Sequence, residues 1–290
     1  MVDNVEPQRI VVPIDPTSTT ANRAIPVAVA AAKLFGCAIE LLQCVEDPHQ
    51  VSAAQRDLEP LRSTIRLEHP DVVVRSSTIV NPNAPEEIVR AVQPGHLPVI
   101  ATRAQALTLR HYIGSAAEKV VAQSGRPVLL VGPAADADDA MQVSGVIAGV
   151  APQTGLLDTD TLDLILLAQH WARQLAVPLQ LVTVVSDDDQ VIAAQQWLND
   201  VVARFLLPGQ EADVRVLRSS QPADAICRIG AEALIVMSSH ARAGLARFTL
   251  GSVTTNVVRH ATRAVLVAHR ETSQHQPTAP TGLEHAPSSQ

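Results

Sequence analysis

The sequence predicts an α/β protein of two tandem domains, each a five-stranded parallel sheet with helices on both faces. Three observations support this prediction. The chain has 290 residues, a length that fits two domains of ordinary size. Apolar residues make up 47% of it and aromatic residues only 2%, so its core is built mainly from Ala, Val, Leu and Ile, which suit buried parallel strands. Finally, similar segments recur along the chain at a nearly constant spacing.

The repeat is visible at both ends of each copy. The opening segment RIVVPI at 9–14 corresponds to GVIAGV at 145–150. Near the end of each copy, a Gly114-Ser115 pair corresponds to a Gly251-Ser252 pair, and a short helical pattern and a β-branched run follow each pair. Because the offset stays nearly constant over the whole length, the pattern indicates a duplicated domain.

Within each copy, short β-branched runs alternate with helical patterns, which is typical of β-α-β units in a parallel sheet. The predicted strands of the first copy lie near 9–14, 38–45, 71–79, 97–101 and 126–131. Those of the second copy lie near 145–150, 178–185, 212–217, 233–238 and 263–268. The first crossover helix of each copy carries apolar residues at helical spacing: Ile25, Ala28, Val29 and Ala32, and Leu164, Leu167, Ala168, Trp171 and Leu175. Each helix therefore has one face to lay on the sheet.

The domain boundaries follow from changes in composition. Domain 1 is predicted over 9–132 and domain 2 over 143–270, joined by a linker over 133–142. The linker contains Pro133 and several Asp residues with little periodicity, so we expect it to be exposed and mobile. We expect a flexible N-terminus over 1–8 and a disordered tail over 271–290, because the tail is polar and lacks apolar spacing.

Composition also argues against several functional classes. The formal net charge is −7 and the basic residues are scattered, which argues against binding to nucleic acid or to an anionic membrane. The three cysteines include no C-x-x-C pair, so a disulfide framework or a cysteine zinc site is not expected. The N-terminus resembles no signal peptide and no apolar run reaches about 18 residues, so we expect a cytoplasmic protein.

Ligands of open parallel sheets bind at the carboxyl ends of the strands where the strand order reverses, so the loops after strands one and four are the candidates. Asp15 follows strand one and is either an acceptor for a ligand amine or an ordinary turn and cap residue. After strand four of each copy, the Gly114-Ser115 and Gly251-Ser252 pairs open a helix. Such a helix start offers N–H groups and a positive dipole to an anion, although an ordinary N-cap is the commoner role of this pair.

These loops resemble those of the universal stress protein family, whose pattern is G-x-x-G, nine residues, then G-[S/T]. The run HARAGLARFTLGSV at 240–253 is similar to the family's strongest segment, and IVVPID at 10–15 is similar to its opening strand. The resemblance extends over nearly the whole chain, twice. It implies a Rossmann-like fold that binds an adenine nucleotide, ATP with or without Mg²⁺, and pairing of the fifth strands, here as an internal pseudo-dimer with a homo-oligomer as a further expectation.

The resemblance also assigns roles to particular residues. In the first copy Asp15 and the backbone around Cys44 would contact adenine, and Gly114 and Ser115 would face the phosphates. The motif glycines are replaced in both copies, and Ala151 stands where the first copy has Asp15. Each added Cβ costs roughly 1 kcal/mol where φ is positive and adds bulk near the ligand, so neither copy has a complete site. The predicted nucleotide-binding residues are Pro13, Asp15, Cys44, Ala101, Ala104, Gly114, Ser115, Ser238, Ala241, Gly251 and Ser252.

Three functions remain open from the sequence. The leading hypothesis is a regulatory stress-response protein that binds ATP or another adenine nucleotide weakly in the first copy. The second is a scaffold or interaction module whose nucleotide sites have lapsed. The third is ATP hydrolysis or nucleotide transfer, but we find no nucleophile, base and acid arranged for catalysis, so we expect no enzyme, with weak ATP hydrolysis left open.

Overall fold

The computed structural model of the chain describes residues 6–15, 18–102, 114–152, 157–207, 209–239 and 250–269. Two of the predicted binding residues, Ala104 and Ala241, lie outside these ranges. Most of the predicted flexible N-terminus and all of the predicted tail over 271–290 also lie outside them.

Every predicted strand is present, with ends shifted by at most three residues. The first half contains β1 Arg9–Pro13, β2 Ala38–Val45, β3 Val74–Val80, β4 His96–Ala101 and β5 Val128–Val131. The second half contains β6 Gly145–Gly149, β7 Leu179–Val185, β8 Ala212–Arg218, β9 Ala233–Ser238 and β10 Val265–Ala268. The central strands are almost wholly buried, because helices cover both faces of a parallel sheet.

Helices connect these strands in the same order in both halves. The first half has α1 Thr19–Asn22, α2 Ala24–Phe35, α3 Val51–Glu68 after a 3₁₀ turn at Pro48–Gln50, α4 Ala84–Ala91 and α5 Ser115–Gln123. The second half has α6 Thr159–Leu175, α7 Asp189–Phe205, α8 Pro222–Ile229 and α9 Ser252–His260. Apolar residues of α2, α3, α6 and α7 share one core, and those of α4, α5, α8 and α9 share another on the opposite face of the sheet. No helix within the described ranges is long and apolar enough to span a bilayer.

The two halves join edge to edge into one sheet of ten strands, in the order β3-β2-β1-β4-β5-β10-β9-β6-β7-β8. Neighbours within each half are parallel, and β5 pairs with β10 antiparallel, with Leu129 opposite Leu266. The internal pairing of fifth strands that the family resemblance implies is therefore present. The helices also meet across this junction, where the ring of Phe35 packs edge-on against Trp171 with centroids 5.0 Å apart.

The segment between the halves differs from the exposed connector expected over 133–142. Ala135 and Ala140 are buried at 5% and 0% exposure and belong to the core shared by the two halves. The backbone N–H of Ala264 donates to the Ala140 carbonyl at 3.0 Å, and Arg263 Nε donates to the Gln142 carbonyl at 3.0 Å. Exposed Asp residues alternate with these alanines along the segment. The acidic composition of the segment therefore does not predict that two of its alanines are buried.

Candidate functional site

The strand order of the first half reverses at β1, which pairs with β2 on one side and with β4 on the other. The loops after β1 and β4 leave the sheet on opposite faces, so a crevice opens between their strand ends. A cavity of about 530 Å³ lies at this point, within the range of pockets that hold small molecules.

The cavity brings together every predicted first-half residue that the structure describes. These residues are Pro13, Asp15, Cys44, Ala101, Gly114 and Ser115. They come from four separate places in the sequence, so their convergence results from the sheet topology. Their role in binding a nucleotide stays a prediction.

Asp15 reaches the rim of the cavity because β1 ends just before it. The Ile14 N–H still donates to the Leu42 carbonyl at 2.9 Å and extends the pairing with β2 by one residue. The chain then turns, and the Ser18 N–H donates to the Asp15 carbonyl at 2.8 Å. The Asp15 side chain is exposed at this turn, where its carboxylate can accept a hydrogen bond from a ligand.

The first turn of α5 forms another part of the cavity wall. Gly114 precedes this helix with φ of +115°, a conformation that favours glycine, and its carbonyl accepts from the Glu118 N–H at 2.9 Å. Ser115, Ala116 and Ala117 all line the cavity. The N–H groups of a first helical turn have no partner within the helix, and they carry the positive end of its dipole. This wall can therefore bind an anionic group.

Cys44 contributes to the wall at the end of β2. Its Sγ lies 4.0 Å from the Ala84 carbonyl, to which the thiol donates. Burial, with a smaller contribution from the nearby charge of Glu87, raises the pKa of the Cys44 thiol to about 11. The thiol is therefore protonated at neutral pH and is a poor nucleophile. Cys44 contributes to the cavity by lining its wall, not by reacting with a ligand.

The sequence prediction missed the wall formed by α1 and α4 and the apolar floor. The missed residues are Ile14, Thr20, Ala21, Leu42, Gln43, Ala84, Pro85, Ile88, Ile100, Ala116 and Ala117. A signal for α4 was available, because the loop at 81–85 has the turn sequence NPNAP and follows a strand. In a parallel sheet every such loop opens at the same edge as the loops after strands one and four.

The expected backbone strain is absent at two replaced motif glycines. Ala101 and Ser238 end β4 and β9, and neither has a positive φ, since Ala176 is the one non-glycine residue with positive φ in the described ranges. The remaining effect of these substitutions is the bulk of their side chains. Ala104 and Ala241 lie outside the described residues.

In the second half, Ser238, Gly251 and Ser252 occupy the equivalent loops, but hydrogen bonds tie these loops to each other. The Gly251 N–H donates to the Ser239 carbonyl at 3.2 Å. Thr254 Oγ1 donates to the Ser238 carbonyl at 2.9 Å, and Thr254 is only 3% exposed. Gly251 has φ of −58°, which any residue adopts, in contrast to Gly114. The helix start is therefore held against the strand end.

The second half also has a longer apolar side chain at a position that lines the cavity floor in the first half. Met237 corresponds to Ile100, and Gly149 corresponds to Pro13. A Cβ on Gly149 would lie 2.5 Å from Met237 Sδ, so the methionine occupies the space beside the glycine. Met237 is 6% exposed and packs with Ile226 in the core. Together with Ala151 in place of the acid, this packing makes the second half different from the first.

The described residues contain no group of three or more His, Cys, Asp or Glu side chains placed to hold a metal ion.

Comparison with known proteins identifies a family model that matches most of the chain. The model described as "Universal stress protein family" matches residues 6–132 and 158–269. No curated protein matches the sequence at a significant level.

Two solved structures with TM-scores above 0.5 have the same fold. The universal stress protein from Archaeoglobus fulgidus DSM 4304 is 17% identical, with a TM-score of 0.69 over 91% of this chain and 98% of that chain. A functionally unknown protein from Pseudomonas aeruginosa PAO1 is 18% identical, with a TM-score of 0.66 over 91% of this chain and 93% of that chain. A smaller structure, the universal stress protein from Archaeoglobus fulgidus in complex with dAMP, is 21% identical and covers 44% of this chain and 99% of its own, with a TM-score of 0.33.

Proposed function

Because the chain belongs to the universal stress protein family, we propose that it is a regulatory stress-response protein that binds an adenine nucleotide weakly in its first half. The nucleotide would be ATP, with or without Mg²⁺. The observation that carries the proposal is the cavity of about 530 Å³ at the strand-order reversal, whose lining includes both a carboxylate and a helix start.

Different parts of the cavity lining suit different parts of a nucleotide. The Asp15 carboxylate can accept a hydrogen bond from the exocyclic amine of adenine. Leu42, Ile88 and Ile100 form an apolar floor beneath a base. The first turn of α5, opened by Gly114, offers N–H groups to a phosphate.

Two features support weak binding. Ala101 places a methyl group at the end of β4 where the family pattern has glycine, so the backbone there cannot approach a ligand as closely. The Asp15 side chain is also exposed at the rim of the cavity. A ligand that contacts it there keeps part of its surface in water and gains less from burial.

The proposal assigns one nucleotide to each chain. In the second half, Met237 fills the space beside Gly149, Thr254 closes the strand end, and Ala151 replaces the acid. We therefore expect a binding stoichiometry close to one.

Calorimetric titration with Mg-ATP tests the proposal. We expect one site per chain, and we expect Asp15→Asn to weaken binding about tenfold, which corresponds to about 1.4 kcal/mol. Asp187→Asn, a change at an exposed acid after β7, should leave the affinity unchanged. The absence of heat at millimolar nucleotide, with an unchanged melting temperature, would exclude nucleotide binding.

A second candidate function is an interaction module, and the second half favours it. That half keeps the fold while Met237 occupies the space beside Gly149 and Thr254 bonds to the end of β9, as expected if it contributes surface or support instead of a ligand site. Light scattering and pull-down assays test for homo-oligomers and protein partners. An inert monomer that binds only nucleotide would rule out this function.

We further propose that the protein is cytoplasmic and is not an enzyme. The Cys44 thiol in the cavity is protonated at neutral pH because burial raises its pKa to about 11, so it is not poised for attack on a phosphate. A sensitive phosphate-release assay with ATP should show no turnover above buffer. Turnover that disappears in Asp15→Asn would instead establish ATP hydrolysis at this site.

A further inference from the structure

Arg23 links the wall of the first-half cavity to the segment that follows β5. It stands at the corner between α1 and α2, and its backbone N–H donates to the Thr20 carbonyl at 3.2 Å. Thr20 and Ala21 of α1 line the cavity. The Arg23 guanidinium points away from this wall, and its Nη2 donates to the Gly132 carbonyl at 2.9 Å and to the Ala135 carbonyl.

The second half holds in place the two carbonyls that accept hydrogen bonds from Arg23. Gly132 lies so close to α9 that a Cβ on it would be 1.8 Å from the Val258 carbonyl oxygen. Ala135 is 5% exposed within the core that both halves share. Further along the same segment, the Ala140 carbonyl accepts from the Ala264 N–H at 3.0 Å. Arg23 is therefore anchored to a rigid part of the molecule.

The α1 helix needs such an anchor. It has four residues, and none of them is buried. A single helical turn is unstable alone, because fixing its backbone costs more than its one or two hydrogen bonds return. Its Ser18 cap, which accepts from the Ala21 N–H at 3.3 Å, is a weak restraint. Hydrogen bonds from a charged guanidinium are stronger than neutral ones, so those of Arg23 are a major restraint on this wall.

We propose that Arg23 is a positioning residue that fixes the α1 wall of the cavity by fastening it to the Gly132–Ala135 segment. This inference rests on the proposed nucleotide binding only for its effect on affinity. Without Arg23, α1 samples other positions, and a ligand must order it on binding, which weakens affinity. The second half then has a defined role in the first-half site, because it holds the Gly132–Ala135 segment whose carbonyls accept hydrogen bonds from Arg23.

The test compares three variants of the full chain. Arg23→Met removes the guanidinium and keeps a long side chain, and Arg23→Lys keeps a charged donor that can reach one carbonyl. Arg9→Met is the matched control, because Arg9 also makes a partly exposed charged contact, with Nη1 2.7 Å from Glu40 Oε2. This contact lies at the start of β1, at the opposite end of the strand from the cavity. Hydrogen exchange of the nucleotide-free proteins and calorimetric titration with Mg-ATP are measured for all three.

We expect Arg23→Met to speed amide exchange over 18–22 about tenfold while exchange in α4, over 84–91, stays unchanged. A general loss of stability would speed both segments. We also expect about a tenfold rise in the nucleotide Kd for Arg23→Met, a smaller rise for Arg23→Lys and none for Arg9→Met.

The outcomes separate the two proposals. If the unmodified chain binds no nucleotide, the proposed function fails, and the exchange data still decide the role of Arg23. If the unmodified chain binds and Arg23→Met binds equally well, or if exchange over 18–22 is unchanged, Arg23 does not position this wall.

Discussion

The two halves of this chain share the same strand order, yet the first has a cavity at its strand ends, whereas in the second a methionine occupies the space beside the equivalent strand end. Ile100 and Pro13 in the first half correspond to Met237 and Gly149 in the second. Met237 on β9 is longer than Ile100 on β4, and Gly149 on the neighbouring strand β6 has no side chain. The two changes offset each other, so the strands keep their spacing. The core of a sheet tolerates such exchanges as long as the total volume of its apolar side chains is kept. A cavity at the carboxyl ends of the strands depends instead on the individual side chains that line it.

The junction between the halves is also asymmetric in detail. Gly132 follows β5 and lies against α9, and His269 follows β10 and lies against α5, with Nδ1 3.3 Å from the Val121 carbonyl oxygen. The same position is therefore occupied by the smallest residue in one half and by a ring in the other. The two halves approach each other more closely on the Gly132 side.

Gly132→Ala tests this close approach and should have the largest effect on stability. Because the new Cβ would lie 1.8 Å from a backbone oxygen, α9 or the end of β5 must move. We expect a loss of about 3 kcal/mol or more in the free energy of unfolding, measured by urea denaturation. His269→Ala, the equivalent change in the second half, should cost only about 1 kcal/mol. Equal losses for the two variants would mean that the junction is in effect symmetric.

Met237→Ala tests whether the methionine closes the second half. It removes a buried side chain that packs against Gly149 and Ile226, so we expect a loss of about 2–4 kcal/mol in the free energy of unfolding.

The matched change is Ile100→Ala in the first half, where the side chain borders a cavity that is already open. Its removal leaves less enclosed empty space, so the loss should be smaller by about 1 kcal/mol. An Ile100→Ala loss as large as that of Met237→Ala would show that the two positions are packed alike.

The fold could be predicted from the sequence because the strands depend on short runs of apolar residues that local patterns reveal. The duplication strengthened this prediction, since each strand was visible twice, as with 38–45 and 178–185. The pairing of the halves through β5 and β10 was expected from the family resemblance. The course of the connector was not predictable, because nothing local in its sequence distinguishes buried Ala135 and Ala140 from exposed alanines.

The candidate site was predictable only where a loop has a recognisable sequence. Asp15 lies just after β1 and Gly114 just before α5, and both were identified from these loop sequences. Thr20 and Ala21 instead belong to a short helix whose position depends on Arg23. The contact between Arg23 and the Gly132 carbonyl joins residues more than a hundred positions apart. The closure of the second half likewise depends on the pairing of β6 with β9, which places Met237 beside Gly149.

A third prediction concerns the ends of the equivalent helices α2 and α6. Gly36 and Ala176 cap them in the left-handed conformation, with φ of 63° and 54°. This conformation is strained for any residue with a Cβ, so Gly36→Ala should lower the free energy of unfolding by about 1 kcal/mol and Ala176→Gly should raise it by a similar amount. Denaturant midpoints measure both. Shifts of the same sign for the two variants would contradict the equivalence of these caps.

The smallest effect concerns His170 of α6, which stacks on Phe35 of α2 with ring centroids 6.0 Å apart. Within the described residues its Nε2 is buried without a hydrogen-bond partner. Burial lowers the pKa of His170 below its usual 6.5, although the charge of Glu6 opposes the shift. The unfolded chain therefore takes up a proton at a higher pH than the folded chain, and stability falls as the pH drops below about 6.5.

His170→Leu should reduce this loss of stability between about pH 7.5 and about pH 5.5. His96 at the start of β4 also has a pKa lowered by burial, so part of the pH dependence remains in the variant. Urea midpoints at the two pH values measure the difference. If the midpoint of His170→Leu falls as far as that of the unmodified chain, the packing of α2 against α6 does not depend on a neutral imidazole, and the junction between the halves is less sensitive to pH than its buried ring implies.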